Sequence, residues 1–339
     1  MPGEPDKRDF RICGVGSAIV DILARVDEDF LAGIPGGKGG AVEMPPAELA
    51  RLLARLPSPL VMPGGAAANT MRLLARLGGD CALCAHIGRD EFGELFRRSL
   101  VEAGVVTDLL AESETLPTGT CLSLVTPDSE RTMRTCQGAN NEMTAADFPV
   151  TTLKRFSHLY LDGYSFYNFP LVQGILSRAR EAGVKVILDL GSPELARAFQ
   201  AHWPTLLAEH IDIVLANESE CRAVTAQDTL EAGRQLLANC CDLAVVKHGG
   251  EGAEVLEHGQ LTHIPAVPAK AIDTTGAGDT WAAGFLYGLS RGWTYSQAGE
   301  LAARLAAATV ETIGAAPTEA AIKNIQASLK TRVLQELQP

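Results

Sequence analysis

The stretch Asp273–Phe285, DTTGAGDTWAAGF, packs three small residues between two carboxylates and then turns apolar. A helix that starts within Gly276-Ala277-Gly278-Asp279 exposes its first backbone N–H groups, whose partial positive charge attracts an anion. Glycine and alanine let a phosphate approach that backbone closely. Asp279 then stands beside the anion, where a carboxylate can take a proton from a hydroxyl while the N–H groups hold the group under attack. Beyond it, Trp281, Phe285 and Leu289 recur every four residues, and the small Ala282, Ala283, Gly284 and Gly288 leave room for close neighbours, so the helix reads as buried. Alone, GAGD fits a tight turn with Asp279 as a helix cap equally well.

Outward from this turn, β-rich runs alternate with helical patterns. RICGVGS, CALCAHIG, HLYLDG, VKVILDLG, IDIVLAN and LAVVKHG read as strands, several nearly all apolar, as in a sheet covered on both faces. Helices are expected over Asn69–Leu77, Phe92–Ala103, Pro170–Ala182, Glu231–Asn239 and Thr280–Ser290. The alternation predicts an α/β fold, a mainly parallel sheet between helix layers, with ligands at the carboxyl ends of its strands. Two stretches break it: AIVDILARV with the glycine- and proline-rich loop after it, and TGTCLSLVTPDSERTMRTC, which reads as a hairpin around PDSE. Residues 18–61 and 107–140 are therefore expected to form a small β-sheet lid on a single domain spanning 1–339.

Composition narrows the function. A net charge of -12 over 339 residues leaves no basic stripe for nucleic acid, so an anionic ligand must be held locally. No uninterrupted apolar run is long enough for a membrane span, and the polar start MPGEPDKRDF does not resemble a signal peptide. The expected location is the cytoplasm, with the eight cysteines reduced. Cys81 and Cys84 form a C-x-x-C, but strand periodicity points them to opposite faces, and no second pair completes a zinc site. AGIPGGKGG fails as a phosphate-binding P-loop, with Ala32 for the first glycine and Gly39 after Lys38. GVGSAI fails as a dinucleotide fingerprint, with Ile19 for the third glycine.

From Asp273 to Leu286 the sequence resembles, position by position, the C-terminal signature of the ribokinase-like (PfkB) carbohydrate and nucleoside kinases. GGAAANTMRLLARLG, from Gly64 and Gly65 through Asn69 to Gly78, is similar to the family's other signature, with Met71 where a small residue is usual. GVGSAIVD, NESE and VKHGGEGA follow the family's order, so the resemblance spans about residues 11 to 317. It implies the ribokinase-like three-layer α/β/α fold and an ATP- and Mg2+-dependent phosphotransferase.

By that resemblance Asp279 is the base that deprotonates a primary hydroxyl, and the N–H groups of Gly276, Ala277 and Gly278 are the anion hole for the γ-phosphoryl group. Asp21, Gly64, Gly65 and Asn69 would hold the acceptor, although Asn69 also suits a helix cap. Asn217 and Glu220 would stand near the phosphates, Glu220 acting through water on magnesium; NESE also suits an exposed first turn. Lys247, Gly249 and Gly252 would contact the nucleotide, unless Lys247 is a surface residue. Asp273 and Thr275 resemble a loop that binds a monovalent cation in many relatives, which suggests potassium. Arg131 and Arg134 fall on the expected lid, where two solvated arginines are the simpler reading.

For the acceptor, the glycine-to-aspartate spacing in GVGSAIVDI followed by ARVDEDFL resembles adenosine kinases, and Tyr164 and Phe166 after a strand end suggest stacking on a purine; core packing would place the same residues there. A nucleoside, adenosine first, is the expected acceptor, with a free sugar such as fructose, ribose or 2-keto-3-deoxygluconate as the alternative. A non-catalytic nucleoside- or sugar-binding sensor is the alternative of another class. Relatives occur as monomers and as homodimers, and the sequence does not choose.

Overall fold

The computed structural model of the chain describes residues 10–336 other than Pro57 and Ser129. The first nine residues of the polar N-terminal stretch, and Ser129 of the expected turn, thus lie outside the described residues. In chain order the strands are β1 (Ile12–Val15), β2 (Ile19–Arg25), β3 (Ala41–Glu43), β4 (Leu60–Pro63), β5 (Cys81–Gly88), β6 (Leu110–Ser113), β7 (Gly119–Val125) and β8 (Arg131–Cys136). They continue with β9 (His158–Asp162), β10 (Lys185–Asp189), β11 (Ile213–Asn217), β12 (Leu243–Lys247), β13 (Ala253–Glu257) and β14 (Gln260–Ile264).

Nine strands form the central sheet in the order β14, β13, β12, β11, β10, β9, β1, β5, β6. Pairing is parallel from β6 to β12, and β13 and β14 add an antiparallel edge. Every residue of β5 and β9 is buried, which explains their largely apolar runs: helices cover both faces. Cys81 and Cys84 lie in this core as strand residues, and burial pushes the Cys81 thiol up to about 12.

The other five strands form a separate sheet in the order β3, β8, β7, β2, β4. Along β2, Val20, Ile22 and Ala24 point into a small core with Leu122 and Leu124, while Asp21 lies on the other face. The sheet draws on 19–63 and 119–136, close to the expected spans, with one correction. Residues 110–113 do not join it, because β6 pairs in parallel with β5 at the edge of the central sheet.

Two helices begin earlier than the apolar pattern suggests, because glycines start them. Gly65 (φ 85) precedes the helix Ala66–Arg76, and Gly276 (φ 69) precedes Ala277–Ser290. Asn69 is therefore inside the first turn, not at the cap. The departure at Met71 has a packing counterpart: a Cβ on Gly14 would lie 2.6 Å from Met71 Cγ, so glycine in β1 makes room for the larger side chain. The small residues of Ala277–Ser290 work likewise against the helix Tyr295–Val310, where a Cβ on Gly284 would lie 2.8 Å from Ala302 Cα.

Candidate active site

β9, β10, β11 and β12 end at Asp162, Asp189, Asn217 and Lys247, which puts four polar residues along the carboxyl edge of the sheet. The N-termini of Ala66–Arg76 and Ala277–Ser290 arrive at the same edge, and the two helices pack on each other. The site is built where these ends meet.

Asp279 is in the first turn of its helix and accepts a hydrogen bond on Oδ2 from Asn69 Nδ2 at 2.9 Å. Burial pushes its carboxyl up to about 7; Asp189 and Asp162 add to the rise, and the Asn69 bond and Lys247 oppose it. A base poised near neutrality suits proton removal from an alcohol. Gly276 is held in a left-handed conformation that a side chain could not share, since its Cβ would lie 2.5 Å from Ala315 Cβ. The turn thus sets backbone N–H groups beside Asp279 with no large side chain over them, that of Ala277 donating to the Thr274 carbonyl at 3.3 Å.

Lys247 is not a surface residue. Its Nζ pairs with Asp189 Oδ2 at 3.0 Å, and a Cβ on Gly278 would lie 3.5 Å from the same nitrogen. Burial works to lower its pKa, but Asp189 and Glu220 outweigh that, and the ammonium stays charged beside the glycine turn. Asn217 caps the helix Glu218–Ala223 and exchanges hydrogen bonds with Glu220 in a capping box. Glu220 is nonetheless buried, so this first turn is not the exposed one that sequence allowed; burial and Asp189 push its carboxyl up to about 7, against Lys247. Glycine turns, one lysine and the oxygens of Glu220 and Asp189 fit a nucleotide phosphate with a hard divalent cation. Gly249 (φ 57) has open space around it, whereas Gly252 is needed for packing, because its Cβ would lie 2.1 Å from the Ile264 carbonyl oxygen.

On the other side of Asp279, the Asp21 carboxylate lies against Gly64, where a Cβ would sit 2.0 Å from Oδ2. Gly65 is as constrained, its Cβ 2.5 Å from the Ser17 carbonyl oxygen. Burial pushes Asp21 up to about 6, and Arg72 opposes the rise. A carboxylate and an amide beside bare backbone can grip hydroxyl groups. The aromatic expectation divides. Tyr164 is 45% exposed beside Gly191, and burial around its hydroxyl, with Asp162, Asp279 and Glu220 adding, raises the phenol above its ordinary range. Phe166 is buried among Phe169, Phe199 and Trp203, with no face left to stack on a base.

Neither arginine of β8 is simply solvated. Arg134 is buried and donates to the carbonyls of Pro35, Gly37 and Met133, which makes it a structural tie within the small sheet. Arg131 crosses to Asp273 (3.2 Å) and Thr275 (3.2 Å). Burial would raise the Asp273 carboxyl, but the N–H and hydroxyl of Thr275, the N–H of Gly314 and Arg131 hold it below the usual range. With these donors in place, a guanidinium faces Asp273 where the resemblance implied a monovalent cation.

Three site residues escaped sequence reading. Asp162 accepts from the N–H groups of Ala67 and Ser165, and Asp189 pairs with Lys247. Both close apolar strands, and that position was a usable signal. Arg72, three residues after Asn69 on the same helix, had none.

The pfkB family carbohydrate kinase profile matches residues 46–321. Aminoimidazole riboside kinase of Salmonella typhimurium is 28% identical over 241 residues, 68% of this chain and 75% of that protein. Among solved structures, a probable sugar kinase from Rhizobium etli superposes with a TM-score of 0.83 at 28% identity, covering 95% of this chain and 99% of the other. Adenosine kinase from Sinorhizobium meliloti gives 0.82 at 28%, covering 94% and 99%. With that profile matching most of its length, this chain belongs to the pfkB family of carbohydrate kinases.

Proposed function

We propose that the protein transfers the γ-phosphoryl group of ATP to a primary hydroxyl of a ribosyl acceptor, a nucleoside of the adenosine type. The observation that carries this reading is the Asp279 carboxylate, held by Asn69 at 2.9 Å in the first turn of a helix whose glycine turn faces Lys247. Asp21 and Asn69 grip the acceptor's hydroxyls against the bare backbone of Gly64 and Gly65. Asp279 removes the proton from the attacking hydroxyl, while the N–H groups of Gly276, Ala277 and Gly278 hold the phosphoryl oxygens and Lys247 leaves Asp189 to join them. Magnesium, held through water by Glu220 with Asp189 alongside, would neutralise charge on the phosphates. Asn217 fixes Glu220, Gly249 gives the nucleotide open backbone, and the small sheet, tied to Asp273 by Arg131, acts as the lid on one kinase domain. Eight unpaired cysteines are consistent with a reducing, cytoplasmic setting. Among the described residues no helix is long and apolar enough to cross a membrane.

Tyr164 supports the nucleoside, as an aromatic ring open to solvent near the base. The burial of Phe166 favours the second reading, a free sugar, because it removes half of the expected stacking pair. ADP release with magnesium-ATP against adenosine, guanosine, inosine, ribose, fructose and 2-keto-3-deoxygluconate separates the two. Turnover restricted to nucleosides supports the first, and preference for a free sugar replaces it with the second. Binding of acceptor and ATP without turnover would instead identify a sensor.

A further inference from the structure

Arg72 lies on the helix Ala66–Arg76, with its guanidinium turned inward over the Phe96 ring. Nη1 donates to Ser99 Oγ at 3.0 Å. Nη2 reaches three oxygens: Asn69 Oδ1 at 2.5 Å, the Gly64 carbonyl at 2.9 Å and the Pro63 carbonyl at 3.1 Å. Arginine only donates, so the oxygen of the Asn69 amide must face it. The amide NH2 is then forced towards Asp279, where it donates to Oδ2. Were the amide reversed, its oxygen would confront a carboxylate and its NH2 a cation.

We propose, taking Asp279 as the base, that Arg72 is the positioning residue that orients it through Asn69 and ties that orientation to the hinge of the small sheet. With Oδ2 held by Asn69, Oδ1 is the oxygen left to take the acceptor's proton. Pro63 ends β4 and Gly64 follows it, at the point where the chain leaves the small sheet for the helix that carries Asn69. A movement of that hinge pulls on the same Nη2 that fixes the amide. Closure of the small sheet and alignment of the base therefore share one group.

The charges around Asp279 are consistent with this. Asp162 and Asp189 face it as like charges, Lys247 faces it from the nucleotide side, and Arg72 answers both Asp279 and Asp21 from the acceptor side. Burial lowers the guanidinium to about 10, with Asp21 and Asp279 holding it up, so it is charged at working pH.

The test uses the whole chain with 13C-carboxyl-labelled aspartate, and the Asp279 resonance is assigned by its loss in Asp279→Asn. In Arg72→Met the Asp279 midpoint should rise by about one unit, the lower end of the effect of a nearby charge, and kcat should fall about 10- to 100-fold, the scale for outer positioning groups. Arg72→Lys keeps a charge without the fork; it should restore part of the midpoint and serves should the Met variant not fold. In an Asn69→Ala background, Arg72→Met should cost little further kcat, because the relay is already cut. An unmoved Asp279 titration in both Arg72 variants, or fully additive losses, would reduce Arg72 to packing. If the wild type turns over no acceptor, the base assignment fails, while the titration still decides whether Arg72 orients the carboxyl.

Discussion

Replacing Asp279 with asparagine should silence the enzyme and stabilise the protein, and the stabilisation should depend on pH. The carboxyl titrates near 7 in the fold against an ordinary 3.8. Between those values the native state binds more protons than the unfolded chain, so stability is fullest at low pH and is lost as pH rises through 7. Three pKa units correspond to about 4 kcal/mol at roughly 1.4 each. Asp279 is partly open to the cleft, and water there screens the charge, so about 2 kcal/mol is the expected gain. An unfolding entropy of about 2.1 cal/mol/K per residue gives this chain ~0.7 kcal/mol/K, which converts 2 kcal/mol into a Tm rise of about 3 °C. Thermal unfolding of the wild type and Asp279→Asn should show that gap at pH 8, narrowing towards pH 5. Equal melting at pH 8, or a less stable asparagine variant, would refute a carboxylate held against its environment. Activity should fall about 10²- to 10⁴-fold, the usual contribution of a positioned base.

Three further outcomes follow from the same geometry. Phe166→Ala should destabilise by about 3 to 5 kcal/mol, as for other buried aromatics, with acceptor KM unchanged in the folded fraction; a selective rise in nucleoside KM would return Phe166 to the binding site. Gly276→Ala should lower both stability and kcat, because a Cβ there meets Ala315 in a left-handed backbone; wild-type kinetics and melting would contradict the bare-turn requirement. Lys247→Met removes the cation that opposes protonation of Asp279 and Glu220. It should raise the KM for ATP and move the acid-side rise of kcat/KM to higher pH, and an unshifted pH profile would separate Lys247 from the base.

The central sheet was legible because its strands are buried on both faces, which leaves apolar runs such as those of β5 and β9. The glycine turn and the carboxylate that follows it were legible because one contiguous segment, Gly276–Asp279, carries both. Residues that meet only through the fold were harder to read. Phe166 lies two positions from Tyr164, yet one ring is buried and the other open, since the chain after β9 turns as a short 3-10 helix, in which residues two apart point roughly 120° apart around the axis. Residues 110–113 follow the same hydrophobic rules as lid strands, and only pairing with β5 assigns them to the central sheet. Arg72 reads as an ordinary charge on an amphipathic helix; its role depends on two carbonyls and an amide brought together in space.

Phosphoryl transfer to an alcohol by Asp279 and its glycine turn is tested most directly by ADP formation with magnesium-ATP across nucleoside and sugar acceptors, wild type beside Asp279→Asn, with 31P NMR locating the new ester. The wild type should give a primary phosphate ester on a nucleoside, and the variant should turn over about 10²-fold more slowly or worse. Equal turnover by the two proteins, or ADP formed without a phosphorylated acceptor, would contradict it.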